Sequence, residues 1–261
     1  MKKQRKIISA LLVLIMIMAT GFVMSGCGEE DPVEVYKKAS DNLNAADDFS
    51  FDGKINMNIK SGGQEMKITM DMDGDYIKSK SDDPTELQMA MNMKMDMLGQ
   101  SNEMKMYIKD GYTYTDDGTS KAKAKLEKDS ADQLKKIMET KFEIDKYVKK
   151  SSMDGDTIKL TVDGKKMMAE AMDKFKDSLE DAGNSTVDSY TEMIEKAGID
   201  EIKVEAVVKD DNFTSFKMDM PMKIDMGTGQ KTDTDIVIDL SDIKVNSGLK
   251  DIEIPDISQF K

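Results

Sequence analysis

The chain has 261 residues, 38 basic and 51 acidic side chains and no histidine, so its formal net charge is -13. That balance sets it against nucleic acid and bare anionic bilayers. A single cysteine excludes an internal disulfide, and the lack of histidine leaves a thiol or a metal without its usual partners.

The chain opens with Lys2, Lys3, Arg5 and Lys6, continues through an apolar run from Ile8 to Met18, and reaches small residues at Ser25 and Gly26. This is the layout of a secretory signal peptide over 1–26. "MSGC" at 24–27 resembles a bacterial lipobox, with Met24 where leucine is more usual. In that reading Cys27 receives a diacylglycerol and a palmitate-type acyl chain and becomes the first residue of the mature protein. The other reading, a transmembrane anchor, meets an apolar run short of the roughly 20 residues a bilayer needs. Removing 1–26 leaves 235 residues and a net charge of -17. A diacyl anchor holds such a chain at a membrane, since each buried methylene contributes about 0.8 kcal/mol.

Residues 27–31 read as the lipidated cysteine and a short tether, and 32–261 as one domain. Asp31 and Pro32 have the form of an N-cap and first helical residue, opening a helix over 32–46 with Val33, Tyr36, Ser40 and Leu43 on one face. The period then falls to two. Phe49, Phe51, Ile55, Met57 and Ile59 predict a strand, "SGGQ" at 61–64 a turn, and Met66, Ile68, Met70 and Met72 a second strand. "DGD" at 73–75 predicts a turn or bulge before a short strand at Tyr76 and Ile77. The clearest alternation is Leu87, Met89, Met91, Met93, Met95, Met97. Met104, Met106, Ile108, Tyr112 and Tyr114 extend the meander.

Over 119–153, Ser130 with Gln133 has the spacing of a capping box before a short helix. Ile158, Leu160 and Val162 predict a strand, followed by a helix near 164–181 and another opening at Ser189 and Glu192. Ile202 to Val208 alternate, as do Phe216, Met218, Met220, Met222, Ile224 and Met226. Pro221 lacks a donor and predicts an edge or bulge. Ile236, Ile238 and Leu240 run back, and a one-residue phase change before Ile243 and Val245 predicts a bulge near Ser241. "DIEIPDISQF" reads as an extended tail whose apolar residues pack on the sheet edge.

The 25 methionines invite three readings. They are core filler, or the wall of a deformable apolar cavity, or soft ligands for Cu(I). Copper fits poorly, because same-face residues of a strand stand about 6.5–7 Å apart. "DMDGDY" has three early spacings of a calcium loop at Asp71, Asp73 and Asp75, but Tyr76 stands where glycine is needed and Asp82 where glutamate is. The alternative is a solvated turn. No phosphate-binding loop, nucleophile elbow or distinguished carboxylate pair is present, which points away from an enzyme.

The lipobox at Cys27, the helix with Tyr36, Ala39 and Leu43, "FSFDGKINMNI", the long hairpins and the "IEIPDI" end together resemble the LolA/LppX-like superfamily, especially its Gram-positive lipoproteins, over about 32–258. The resemblance implies a mainly β fold with helices (α+β): one strongly curved antiparallel sheet forming a half-open barrel, with helices covering its concave face. It implies an apolar cavity lined by Met89, Met91, Met93, Met95, Met97, Phe216, Met218, Met220, Met222 and Ile224. Characterised relatives carry lipoproteins or glycolipids. The expectation is a monomeric, non-catalytic lipoprotein on the outer face of the cell membrane, without cofactor, metal or nucleic acid, that binds a lipid or amphiphile. The alternative is a structural or protein-interaction lipoprotein with a filled core. Arg5 is the only arginine, so arginine-based release features of the sorting proteins have no counterpart in the mature chain.

Overall fold

The computed structural model describes residues 31–81, 83–139, 144–170, 197–225 and 231–261. Helix α1 spans Pro32–Ala45, with the Asp31 carboxylate accepting the Val33 amide at 2.9 Å and proline in its first turn. Tyr36, Ala39 and Ser40 are its buried stripe, and Val33 and Leu43 pack beside them.

Strands β1 (Asp48–Ser61) and β2 (Gln64–Ile77) form a long hairpin, followed by β3 (Gln88–Met97), β4 (Gln100–Lys109), β5 (Tyr112–Asp116) and β6 (Lys121–Lys125). Helix α2 (Lys128–Glu139) and a short helical turn (Ile144–Tyr147) lead to β7 (Val148–Asp154) and β8 (Thr157–Asp163). The chain continues through β9 (Ala197–Gly198), β10 (Glu201–Lys209), β11 (Asn212–Asp225) and β12 (Lys231–Val245). All pair antiparallel in one twelve-stranded sheet of order β6-β5-β4-β3-β2-β1-β12-β11-β10-β8-β7, with β9 beside β11.

The expected strongly curved, half-open barrel does not form. The strand path is open, and β6 and β7 pair on one side only. The physical reason lies in the edges and the register. β6 reads "KAKAK" and β7 is mostly exposed, so both ends are short, charged or wet strands that resist further pairing. The described ladders carry three register shifts, few devices for turning a long sheet on itself. The described helices lie on one face of this open sheet: α1 packs over β7, β8, β10 and β11, and Ala131 and Leu134 of α2 join Tyr76, Leu87, Met89 and Ile108 further along.

Several local expectations change. "DGD" at 73–75 lies inside β2, which runs on to Ile77. α2 starts at Lys128, so Ser130 sits within it rather than capping it. Pro221 is in a central strand, but the ladder from β10 stops at Asp219 and pairing resumes with β9 at Lys223, so its missing amide falls in a gap. The phase change after Leu240 is a bulge: β12 gains a residue opposite β1 between Ser50 and Asp52, and Asp242 takes φ 50°. The helix expected over 164–181 is described only to residue 170, and the Ser189 capping box lies outside the described residues.

The core sits on one face of the sheet. A second cluster occupies the other face, where Ile252 and Phe260 of the C-terminal tail cover Ile77, Ala90, Tyr107 and Tyr114. Lys109 fixes this strap at 2.7 Å to both the Asp251 carboxylate and the Ile252 carbonyl, and the Lys123 amide donates to the Lys261 carbonyl at 2.9 Å.

Candidate functional site

Cross-strand register decides which predicted side chains meet. Met89 lies opposite Ile108 and Tyr76, Met91 opposite Met106, Met93 opposite Met72 and Met104, Met95 opposite Met70, and Met97 opposite Ile68. Across the central strands, Phe216 faces Leu240, Met218 faces Ile238 and Met220 faces Ile236. Ile55 in turn faces Ile238 and Met70, and Met57 faces Ile236 and Ile68. Both methionine rows therefore lie on one continuous sheet face. Four strand steps separate β3 from β11, about 19 Å. The rows are stripes on one wall and do not confront each other.

Burial changes along this wall. Met89, Met91 and Met93 are buried, whereas Met95 and Met97 are half-buried. Phe216, Met218 and Met220 are buried, whereas Met222 is half-buried. Ile224 pairs with Thr232, and its side chain lies outside the described residues. The same gradient runs through β1 from Ile55 to Met57 and Ile59, and through β2 from Met70 to Ile68 and Met66. Met104 and Met106 on β4 are half-buried too. A half-covered strip of thioethers and isoleucines thus lies toward the end where β1–β2 and β3–β4 turn.

The turns at that end are short. Gly62 and Gly63, at φ 58° and 81°, close β1–β2, while Leu98 and Gly99, at φ 51° and 78°, close β3–β4. Two-residue hairpins of this form favour Asn, Asp or Gly at both positions. Leu98 is instead a branched apolar residue in a left-handed conformation, and 74% of it is exposed. The Leu-Gly pair between two alternating runs is the sequence signal for this tip, although the alternation draws attention to the strands instead.

An enclosed cavity lined by the methionine rows is not found among the described residues. A cleft of about 460 Å³ lies elsewhere, lined by Lys149, Lys165, Lys203, Asp163, Asp200 and Glu201 together with Ile199 and Pro221. The opposite face carries the carboxylates. Asp52 and Asp73 are directly opposed, and Asp71 pairs with Lys54 at 3.3 Å. Asp75 is pushed above the usual carboxylate range by partial burial and then by Asp73, with Lys244 pulling it down and Asp52 adding to the rise. Asp71, Asp73 and Asp75 stand at alternate positions of a regular strand rather than in a loop, and no cluster of three His, Cys, Asp or Glu side chains that could hold a metal ion occurs among the described residues. Burial raises the phenol of Tyr36, which packs edge-on against Phe213 at 5.1 Å.

Cys27 lies outside the described residues. Among those described, no helix is long and apolar enough to cross a membrane.

The chain has layouts in common with several solved structures. It is 13% identical to LprF from Mycobacterium bovis, over 88% of this chain and 99% of that one, with a TM-score of 0.39. It is 11% identical to a DUF1329 family protein from Desulfovibrio piger, over 88% and 100%, with a TM-score of 0.26. Comparison with curated proteins gives no match. Residues 31–258 match a family model described as a family of unknown function (DUF6612), and the chain belongs to that family.

Proposed function

We propose that this chain is a non-catalytic lipoprotein that binds the apolar part of a lipid or other amphiphile at the half-covered end of its methionine face. In this reading residues 1–26 are a signal peptide, Cys27 carries the diacylglycerol, and 32–261 is the working domain, a monomer on the outer side of the cell membrane. The sequence layout supports a distant, superfamily-level kinship with LolA/LppX-like lipoproteins. The carrying observation is the burial gradient, from buried Met91 and Met93 to half-buried Met95 and Met97, matched on β1, β2 and β4. Unbranched thioethers adapt to irregular apolar partners, and the half-exposed strip leaves contact area for one.

A second reading is a protein-interaction or structural lipoprotein with a filled core. It is favoured by the complete burial of the middle of the face, where Ile238, Met220 and Ile202 are at most 1% exposed. Native mass spectrometry of the soluble form lacking residues 1–27, mixed with extracted lipids, separates the two. The binding reading expects a discrete one-to-one adduct that weakens when Met95 and Met97 are replaced by glutamine. A clean unliganded mass across the lipid mixture overturns it.

A further inference from the structure

We propose that four methionines on the apolar face, Met91 and Met93 on β3 with Met104 and Met106 on β4, form a binding site for one soft monovalent cation, copper(I) or its analogue silver(I). Along a single strand the same-face spacing of about 6.5–7 Å holds thioethers apart. The register between strands removes that obstacle. Met91 stands directly opposite Met106, and Met93 directly opposite Met104. Opposed Cβ atoms are about 4.5–5.5 Å apart and diagonal ones about 7–8 Å. The four Cβ atoms therefore mark a rectangle whose centre is about 4 Å from each corner. Two single bonds carry each sulfur away from its Cβ, and one metal–sulfur bond closes the remaining distance to a point just above that centre. The site draws on neither the anchor nor the lipid reading.

The arrangement is particular to this part of the sheet. On β11, Phe216, Met218 and Met220 face Leu240, Ile238 and Ile236, so no thioether meets another across that ladder. Beside the quartet, Met72 on β2 lies opposite Met93 and adds a further thioether. Thioethers are soft, uncharged donors. They suit copper(I) and silver(I), and they leave calcium, magnesium and zinc without the oxygen, imidazole or thiolate ligands that those ions need. Burial leaves a way in, because Met91 and Met93 are buried whereas Met104 and Met106 are half-buried. The β4 pair meets the ion first, and unbranched side chains swing to draw it onto the β3 pair. Met91 has room to turn: its methyl carbon rests over Gly74, 3.4 Å from where a Cβ would stand. The neutral donors leave the charge of the ion in place. Across the sheet, Asp73 and Asp75 stand opposite Asn92 and Ala90, Glu103 engages Lys105 at 3.1 Å, and Lys94 lies between Asp71 and Glu103. In a chain of net charge -13, that setting favours a cation.

The test uses the full chain purified in a non-ionic detergent. Silver(I), which keeps its oxidation state there, is titrated by equilibrium dialysis in chloride-free buffer, and X-ray absorption at the silver edge reads the neighbours of the bound ion. One ion per chain is expected, with sulfur neighbours only. Met93→Leu and Met104→Leu keep the apolar volume and lose the donor, and each should weaken binding by about tenfold or more. Met167→Leu, the same change at a methionine buried in the core after β8, should leave binding unaltered. Urea midpoints establish that the three variants stay folded. A chain that takes up no silver overturns the site and leaves these methionines as core. Oxygen or nitrogen neighbours, or binding that survives both substitutions, overturn it as well, because the ion then sits elsewhere. A loss in Met167→Leu as large as in Met93→Leu overturns the assignment to the quartet.

Discussion

Replacing Gly74 by alanine tests whether the sheet depends on a glycine that makes room for an aromatic ring. Gly74 lies opposite Phe51 and Met91. A Cβ at Gly74 would stand 2.7 Å and 2.9 Å from two atoms of the Phe51 ring, well inside the roughly 3.5–4.0 Å of a relaxed carbon contact. Phe51 is half-buried and stacks beside Phe49 with ring centroids 6.4 Å apart, so a retreat from the new methyl disturbs that contact. Overpacking of this kind costs about 1–3 kcal/mol, while the loss of glycine's unfolded-state freedom returns about 0.5–1 kcal/mol. Gly74→Ala should destabilise by about 1–2 kcal/mol, a fall in Tm of about 2–8 °C for a domain of this size. Urea unfolding followed by circular dichroism reads the midpoint at constant slope. A double-mutant cycle with Phe51→Ala should show coupling of about 1 kcal/mol, because the second change removes the ring that the new methyl meets. A Gly74→Ala protein as stable as the parent, or a cost unchanged by Phe51→Ala, would refute the steric argument.

Asp75 binds its proton more tightly in the folded chain than in the unfolded one, so its contribution to stability falls as pH rises from the ordinary carboxylate value through the raised one. Asp75→Asn should therefore raise the urea midpoint more at pH 7 than at pH 3, and equal effects at both would contradict the assignment. Deleting residues 249–261 should uncover Ile77, Ala90, Tyr107 and Tyr114 and remove about 2 kcal/mol of burial for each of Ile252 and Phe260. Dye binding to exposed apolar surface should rise and the midpoint fall, whereas unchanged dye fluorescence would show the strap to be dispensable. Limited hydrogen peroxide should convert the half-buried Met66, Met95, Met97 and Met104 to sulfoxides before the buried Met70, Met72, Met91 and Met93. Peptide mapping that finds equal rates in the two sets would mean that the face opens as a whole.

Much of the sheet was legible because its strands alternate strictly. Met89 to Met97 cannot be placed with their side chains on one face in any regular conformation other than a strand, and "SGGQ" can hardly be anything but a turn. The bulge near Ser241 was legible as a broken alternation, and the tail as an extended apolar segment, although it lies over the face formed by Ile77, Ala90, Tyr107 and Tyr114 and not only at the sheet edge. β6 was missed because "KAKAK" has no apolar face to betray it. "DGD" was misread because Gly74 answers to Phe51 on the neighbouring strand, a demand that local sequence does not display. The open path of the sheet was hidden for a similar reason: alternation tells which residues share a face, but not whether the outermost strands find each other. At the candidate site, alternation identified the rows but not how far covering chain extends along them. Leu98, the most exposed large apolar residue described, ended a pattern and so drew no notice.

The middle of the sheet is a seam between the beginning and the end of the domain. β1 pairs with β12, so Phe49 meets Val245 and Ile59 meets Thr234 across most of the chain length. Neither half can complete its neighbour ladder until the last strand has been made. Closing so long a loop sets a high entropic barrier before any of the central contacts are gained, and chains rich in such contacts fold slowly. A nascent chain that has emerged only as far as β11 lacks its central strand and keeps the inner edge of β1 unpaired. The order of strands thus builds in a delay: β1 to β6 pair as successive hairpins, but the two halves of the sheet are joined only when β12 arrives.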